Sequence, residues 1–132
     1  MIYIDTGAFL ALYRPRDQNH KAAVRTWSTL RQPLVTSNVV IAELGTLLVR
    51  NIGGSAAADR LAEIYSSSSI EILRTTRQNE IQALEWMRKY ADHEIGFPDC
   101  VSFAIMRQKQ ITTAFSFDRH FRIAGFSLVG TH

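Results

Sequence analysis

Short, mostly apolar runs alternate along this chain with longer segments whose apolar residues recur three and four apart, and few folds accommodate that alternation. Residues 1–4 form the first run, which ends on Asp5 and predicts a buried strand. Thr6-Gly7 leads into a short helix over residues 8–13. Asn19 stands where a helix N-cap belongs, ahead of Val24, Trp27 and Leu30 at helical spacing, and Pro33 closes that segment. Leu34-Val35-Thr36 predicts a second strand and residues 39–49 a helix. Ala57, Leu61, Ile64 and Tyr65 mark another helix, and Ile70, Ile72 and Leu73 a third strand. Ile81, Leu84, Met87 and Ala91 give the stripe of a helix over about residues 77–90. Pro98 suits the first turn of a helix running to about Lys109. Residues 111–115 predict a fourth strand and 126–129 a fifth. Gly53-Gly54-Ser55 and residues 66–69 read as loops. Strands that alternate with helices predict an α/β fold on a mostly parallel sheet. Burial of both sheet faces explains why the strands read as apolar runs and not as alternating patterns.

At 132 residues the chain is expected to form one domain over residues 1–132. A hydrophobic fraction of 46% and a charged fraction of 20% exclude wholesale disorder. The longest stretch free of charged residues, 32–42, falls well short of the ~18 residues of a membrane span, so no membrane association is expected. The first residues lack a basic segment and Asp5 interrupts their apolar run, so no signal peptide is expected. The one cysteine, Cys100, excludes an intrachain disulfide and lies in an apolar run, which predicts a buried, inert thiol and a reducing, cytoplasmic location.

Four acids stand in unusual places. Asp5 follows the first strand, Glu43 lies inside Val39-Val40-Ile41-Ala42-Glu43-Leu44, Asp99 opens an apolar helix, and Asp118 lies just past the fourth strand. Taken singly, Asp5 could cap a helix, Asp99 could complement a helix dipole, and Asp118 could shape a turn. Glu43 is harder to dismiss, because a carboxylate in apolar surroundings is costly unless paired or bound to metal, the alternative being a side chain that snorkels from a partly exposed face. Ligand sites in open α/β sheets lie beyond the carboxyl ends of the strands, where Asp5 and Asp118 fall. Clustered carboxylates repel one another, a conflict that a hard divalent cation, Mg²⁺ or Mn²⁺, removes. One or two such ions can support phosphodiester hydrolysis. With four of the 12 acids so assigned, eight remain against 15 Lys and Arg, and 12 of those 15 are arginine. That balance favours a phosphate polymer as partner.

Four stretches together resemble the PIN-domain family, and within it the VapC-type toxins of bacterial toxin–antitoxin pairs. They are Ile2-Tyr3-Ile4-Asp5-Thr6, Ser37-Asn38-Val39-Val40-Ile41-Ala42-Glu43-Leu44, Pro98-Asp99-Cys100-Val101-Ser102-Phe103-Ala104-Ile105-Met106, and Ala114-Phe115-Ser116-Phe117-Asp118-Arg119-His120-Phe121. The resemblance implies a three-layer α/β/α sandwich around a parallel sheet of four to five strands. It also implies a metal-dependent endoribonuclease leaving a 5′-phosphate and a 3′-hydroxyl. By that similarity Asp5, Glu43 and Asp99 hold the main Mg²⁺ or Mn²⁺, and Asp118 completes the pocket or helps hold a second ion. Thr6 and Ser116 match the family's hydroxyl positions and are expected to orient ligands or substrate. A homodimer is implied, as is a small antitoxin whose segment covers the pocket. Gly7, and Gly96-Phe97-Pro98 ahead of Asp99, depart from the common family pattern.

Arg14 and Arg16 after the first helix, and Arg119 and Arg122 after Asp118, are the candidate RNA contacts. His20, His93, His120 and His132 show no metal-ligand spacing, and His120 is read as a packing or supporting residue beside Asp118. Trp27 and Trp86 read as core or interface residues. A dehalogenase-like phosphotransfer site needs a second aspartate where Gly7 stands, and a receiver domain needs a lysine that Lys21, Lys89 and Lys109 do not supply. The alternative reading is a non-catalytic interaction module that acts through a protein partner.

Overall fold

The computed structural model describes residues 1–130, so His132 lies outside the described residues. The chain runs β1 (Ile2–Ile4), α1 (Thr6–Tyr13), α2 (His20–Thr29), β2 (Leu34–Ser37), α3 (Asn38–Ile52), α4 (Gly54–Ser66), β3 (Ile70–Leu73) and α5 (Arg77–Lys89). After a 3₁₀ turn at Ala91–His93 follow α6 (Phe97–Gln108), β4 (Thr113–Phe115), α7 (His120–Ile123) and β5 (Ser127–Val129). The strands form one five-stranded sheet in the order β3-β2-β1-β4-β5. Every pairing among the described residues is parallel.

This order reverses direction once. From β1 the chain steps outward through β2 to β3, then crosses back to β4 on the far side of β1 and on to β5. Right-handed crossovers place α1 to α4 on one face and α5 to α7 on the other. Within the layers α1 packs on α2 and α3, α3 on α4, α5 on α6, and α6 on α7, while α3 also meets α6. The expected sandwich is therefore present. The reversal lies between β1 and β4, and the crevice beyond their carboxyl ends is where such sheets bind ligands.

The core explains the apolar runs. Ile2, Tyr3 and Ile4 of β1, and Ala114 and Phe115 of β4, are buried between the helical layers. Phe103 of α6 meets Phe121 of α7 edge-on, with ring centres 5.0 Å apart, and also packs on Trp86 and Phe126. Trp27 and Trp86 lie half-buried against this core. Cys100 is buried in α6, and burial pushes its thiol up to about 11.

Two local readings need correction. Gly53-Gly54-Ser55 is not a loop, because α4 begins at Gly54 and a single residue joins the two helices. Gly53 has φ +87°, a backbone that favours glycine. Its N–H closes α3 on the Val49 carbonyl while its own carbonyl accepts from Ala57 in α4. Ser66 likewise belongs to α4, not to the loop that follows. The short helix α7 and the turn at Ala91–His93 are too brief to carry a periodicity in the sequence.

Candidate metal centre

Register brings the first and fourth acids together. Ile4 pairs with Phe115, so Asp5 and Ser116 leave neighbouring strands side by side. The Asp5 N–H still donates to the Phe115 carbonyl at 3.1 Å. Beyond this edge lies a cleft of about 560 Å³ lined by Asp5, Glu43, Asp99 and Asp118, with Thr6 and Arg119 among the other lining residues. All four acids therefore reach one cavity from four elements of the chain.

Two of the carboxylates, those of Asp5 and Glu43, are held by neighbouring hydroxyls. The Ser116 hydroxyl donates to Asp5 Oδ2 at 3.0 Å and accepts the Asp118 N–H at 2.9 Å. The Thr6 hydroxyl donates to Glu43 Oε1 at 2.7 Å. These contacts fix carboxylate orientation before any ligand arrives. Asp5 is almost fully buried. Burial, opposed in part by the Ser116 bond, pushes its carboxyl up to about 7, with the Asp118 and Glu43 charges adding to the rise. Asp99 is pushed up to about 8 by burial first and then by the charges of Asp5, Asp118 and Glu43. A set of oxygen donors that resist carrying their own charge fits a hard divalent cation, which replaces repulsion with attraction.

Beneath the acids lies a buried hydroxyl network absent from the sequence reading. The Tyr3 hydroxyl is 2.8 Å from Ser37 Oγ and 2.8 Å from Ser102 Oγ. Ser37 also caps α3 by accepting the Val40 N–H at 3.3 Å. Tyr3 thus ties the start of α3, which carries Glu43, and the body of α6, which carries Asp99, to the strand that ends in Asp5. Burial raises the Tyr3 hydroxyl well above its ordinary range, which keeps it protonated. A polar tip in an apolar strand is the signal that could have pointed to it. Tyr3→Phe is expected to cost about 1–2 kcal/mol, the usual worth of buried hydrogen bonds. It should lower the thermal midpoint by roughly 5 °C in a circular-dichroism melt. An unchanged midpoint would count against the tie.

The arginines separate. Arg119 lines the cleft. Arg14 and Arg16 lie in the loop whose Asp17 and Asn19 form part of the wall, whereas Arg122 sits on α7 outside the lining. Asp17 and Asn19 were not anticipated. They shape the loop locally, the Asn19 N–H donating to Asp17 Oδ1 at 2.8 Å. Gly7 also lines the cleft, and a side chain added there would meet nothing within 4 Å. Its departure from the family pattern leaves the wall more open. Gly96, the N-cap residue of α6, supplies no side-chain cap. His120 reaches the acids directly, with Nδ1 3.3 Å from Asp118 Oδ1 and 3.6 Å from Asp99 Oδ2. Asp99, Asp118 and His120 each present a ligand atom within 4.8 Å of the others. Spacing along the chain could not reveal that grouping.

A PIN-domain family profile matches residues 2–127. The chain is 39% identical over 126 residues, covering 96% of it and 95% of the relative, to the 23S rRNA-specific endonuclease VapC20 of Mycobacterium tuberculosis. It is 29% identical over 119 residues, 89% of this chain and 87% of the relative, to ribonuclease VapC26 of the same organism. The crystal structure of VapC20, described as a sarcin–ricin-loop-cleaving toxin, superposes with a TM-score of 0.90 at 37% identity over 96% of each chain. FitAcB from Neisseria gonorrhoeae shares the fold at a TM-score of 0.73 and 20% identity, over 98% of this chain and 96% of that one.

Proposed function

This chain belongs to the PIN-domain family, and from that premise we propose that it is a metal-dependent endoribonuclease, the toxin of a toxin–antitoxin pair, that cuts 23S rRNA. The observation that carries this reading is the convergence of Asp5, Glu43, Asp99 and Asp118 on one cleft at the reversal of the sheet. The substrate class rests on VapC20, whose name specifies 23S rRNA and which is similar over nearly the whole chain.

Asp5, Glu43 and Asp99 would hold Mg²⁺ or Mn²⁺, with Asp118 completing the pocket or sharing a second ion. A divalent cation, when bound, supplies positive charge to the scissile phosphate and acidity to the attacking water. The protein's part is to fix the carboxylates. Thr6 orients Glu43 and Ser116 orients Asp5. Arg119, which lines the cleft, would hold a phosphate of the RNA backbone. Arg14, Arg16 and Arg122 would extend that contact outside the cleft. Affinity for RNA is then expected to fall steeply as salt rises.

The intact hydroxyl network around the acids favours this reading over a module that binds without cutting. No helix among the described residues is long and apolar enough to cross a membrane. A homodimer and an antitoxin that covers the cleft complete the proposal. Light scattering and co-purification with the product of an adjacent reading frame test those two points.

The proposed activity is tested on intact ribosomes and on protein-free 23S rRNA. Primer extension should locate a discrete cut, and end-labelling should find a 5′-phosphate and a 3′-hydroxyl. A 2′,3′-cyclic phosphate would rule out the hydrolytic route, because that product requires attack by the RNA's own 2′-hydroxyl.

A further inference from the structure

His120 faces two of the cleft's acids from the start of α7. The His120 backbone N–H donates to Asp118 Oδ1 at 2.9 Å, which anchors the residue at the start of α7. That anchor directs the ring toward the acids, with Nδ1 3.3 Å from Asp118 Oδ1 and 3.6 Å from Asp99 Oδ2. Nδ1 is buried and makes no hydrogen bond among the described residues. A buried polar nitrogen without a hydrogen bond is uncommon and calls for an explanation such as an ion. Ligand atoms around an ion with bonds of about 2.0–2.2 Å lie roughly 3 Å apart when adjacent and about 4 Å apart when opposite. The Asp99, Asp118 and His120 atoms lie within 4.8 Å of one another, a spread that small side-chain movements bring into that range.

We propose that His120 is a direct metal ligand through Nδ1, beside Asp99 and Asp118, and that it biases the site toward Mn²⁺ over Mg²⁺. The inference rests on the reading of this cleft as a divalent-cation site and adds a nitrogen donor to it. Imidazole suits transition ions, whereas Mg²⁺ favours oxygen. The nitrogen therefore separates two ions that an all-carboxylate site would treat more evenly.

The test needs no RNA. The full chain is loaded with stoichiometric Mn²⁺ and measured by pulsed electron paramagnetic resonance for ¹⁴N coupling, with Mn²⁺ and Mg²⁺ affinities taken from calorimetry. Wild type is expected to show the coupling of a directly bound nitrogen. His120→Gln should lose that signal and bind Mn²⁺ about tenfold more weakly, a loss typical of a disturbed metal site. Its Mg²⁺ affinity should change by less than about twofold on the same principle. His120→Asn, a second variant of different length, should behave alike, and circular dichroism confirms that both fold. Bound Mn²⁺ without nitrogen coupling in wild type overturns the inference and leaves the carboxylate site standing. Failure of wild type to bind Mn²⁺ at all overturns both.

Discussion

Asp99→Asn is expected to reduce RNA cleavage by about 10³-fold or more and, in the absence of metal, to make the protein harder to unfold. The first effect follows from losing a charged ligand where several kcal/mol of transition-state stabilisation are generated, each 1.36 kcal/mol being about tenfold in rate. The second follows from the setting of Asp99. Burial and the charges of Asp5, Asp118 and Glu43 push its carboxyl up to about 8, so its charged form is disfavoured in the folded chain. The amide keeps the shape and removes that conflict. At pH 8, relief of about 1–2 kcal/mol should raise the thermal midpoint by on the order of 5 °C. Opposite signs for activity and stability would separate a functional carboxylate from a structural one. A variant that lost both would instead indicate that Asp99 holds the fold together.

Stability should also depend on pH and metal together. Asp5 and Asp99 lie at about 7 and about 8 in the folded chain, against about 3.9 for an unperturbed aspartate. Between these limits the folded state holds more protons than the unfolded state, so stability falls as pH rises. The metal-free protein is therefore expected to lose stability from pH 5 to pH 8 through these two groups. Mn²⁺ binds the deprotonated carboxylates and should reverse the trend. At one hundred times its dissociation constant a ligand adds about 2.7 kcal/mol, or roughly 10 °C in midpoint for a chain of this size. The gain should be larger at pH 8 than at pH 6, where protons compete with the ion. Melts across pH, with Mn²⁺ and with chelator, check the prediction. A metal-induced shift equal at the two pH values would contradict it.

The sequence discloses the parts of this fold whose physics is local. Burial on both sheet faces writes β1 as an apolar run, and Asp5 marks its end because a carboxylate cannot continue such a run. Pro98 falls in the first turn of α6 for an equally local reason. The acids stood out because each interrupts an apolar context, and the family resemblance joined them. Other features depend on tertiary placement. Gly53-Gly54-Ser55 has loop composition, yet only Gly53 bends the backbone, and α4 starts immediately after it. A helix as short as α7 carries no periodicity to read. Asp17 and Asn19 reach the cleft through the path of a loop. The meeting of His120 with Asp99 depends on how α6 and α7 pack, which no spacing encodes. Tyr3 belongs between the two groups, its location plain in the sequence and its serine partners hidden by distance along the chain.

Metal-dependent cleavage by the wild-type chain decides whether the four acids form a catalytic centre. Purified protein is stripped with chelator, incubated with 23S rRNA, and assayed before and after Mn²⁺ or Mg²⁺ is restored. A metal-dependent catalytic centre at the four acids predicts no cut in the stripped sample and the same discrete cut after either ion returns, with Asp99→Asn inactive in every lane. Cleavage that persists in chelator, or that Asp99→Asn performs as well as wild type, would contradict it.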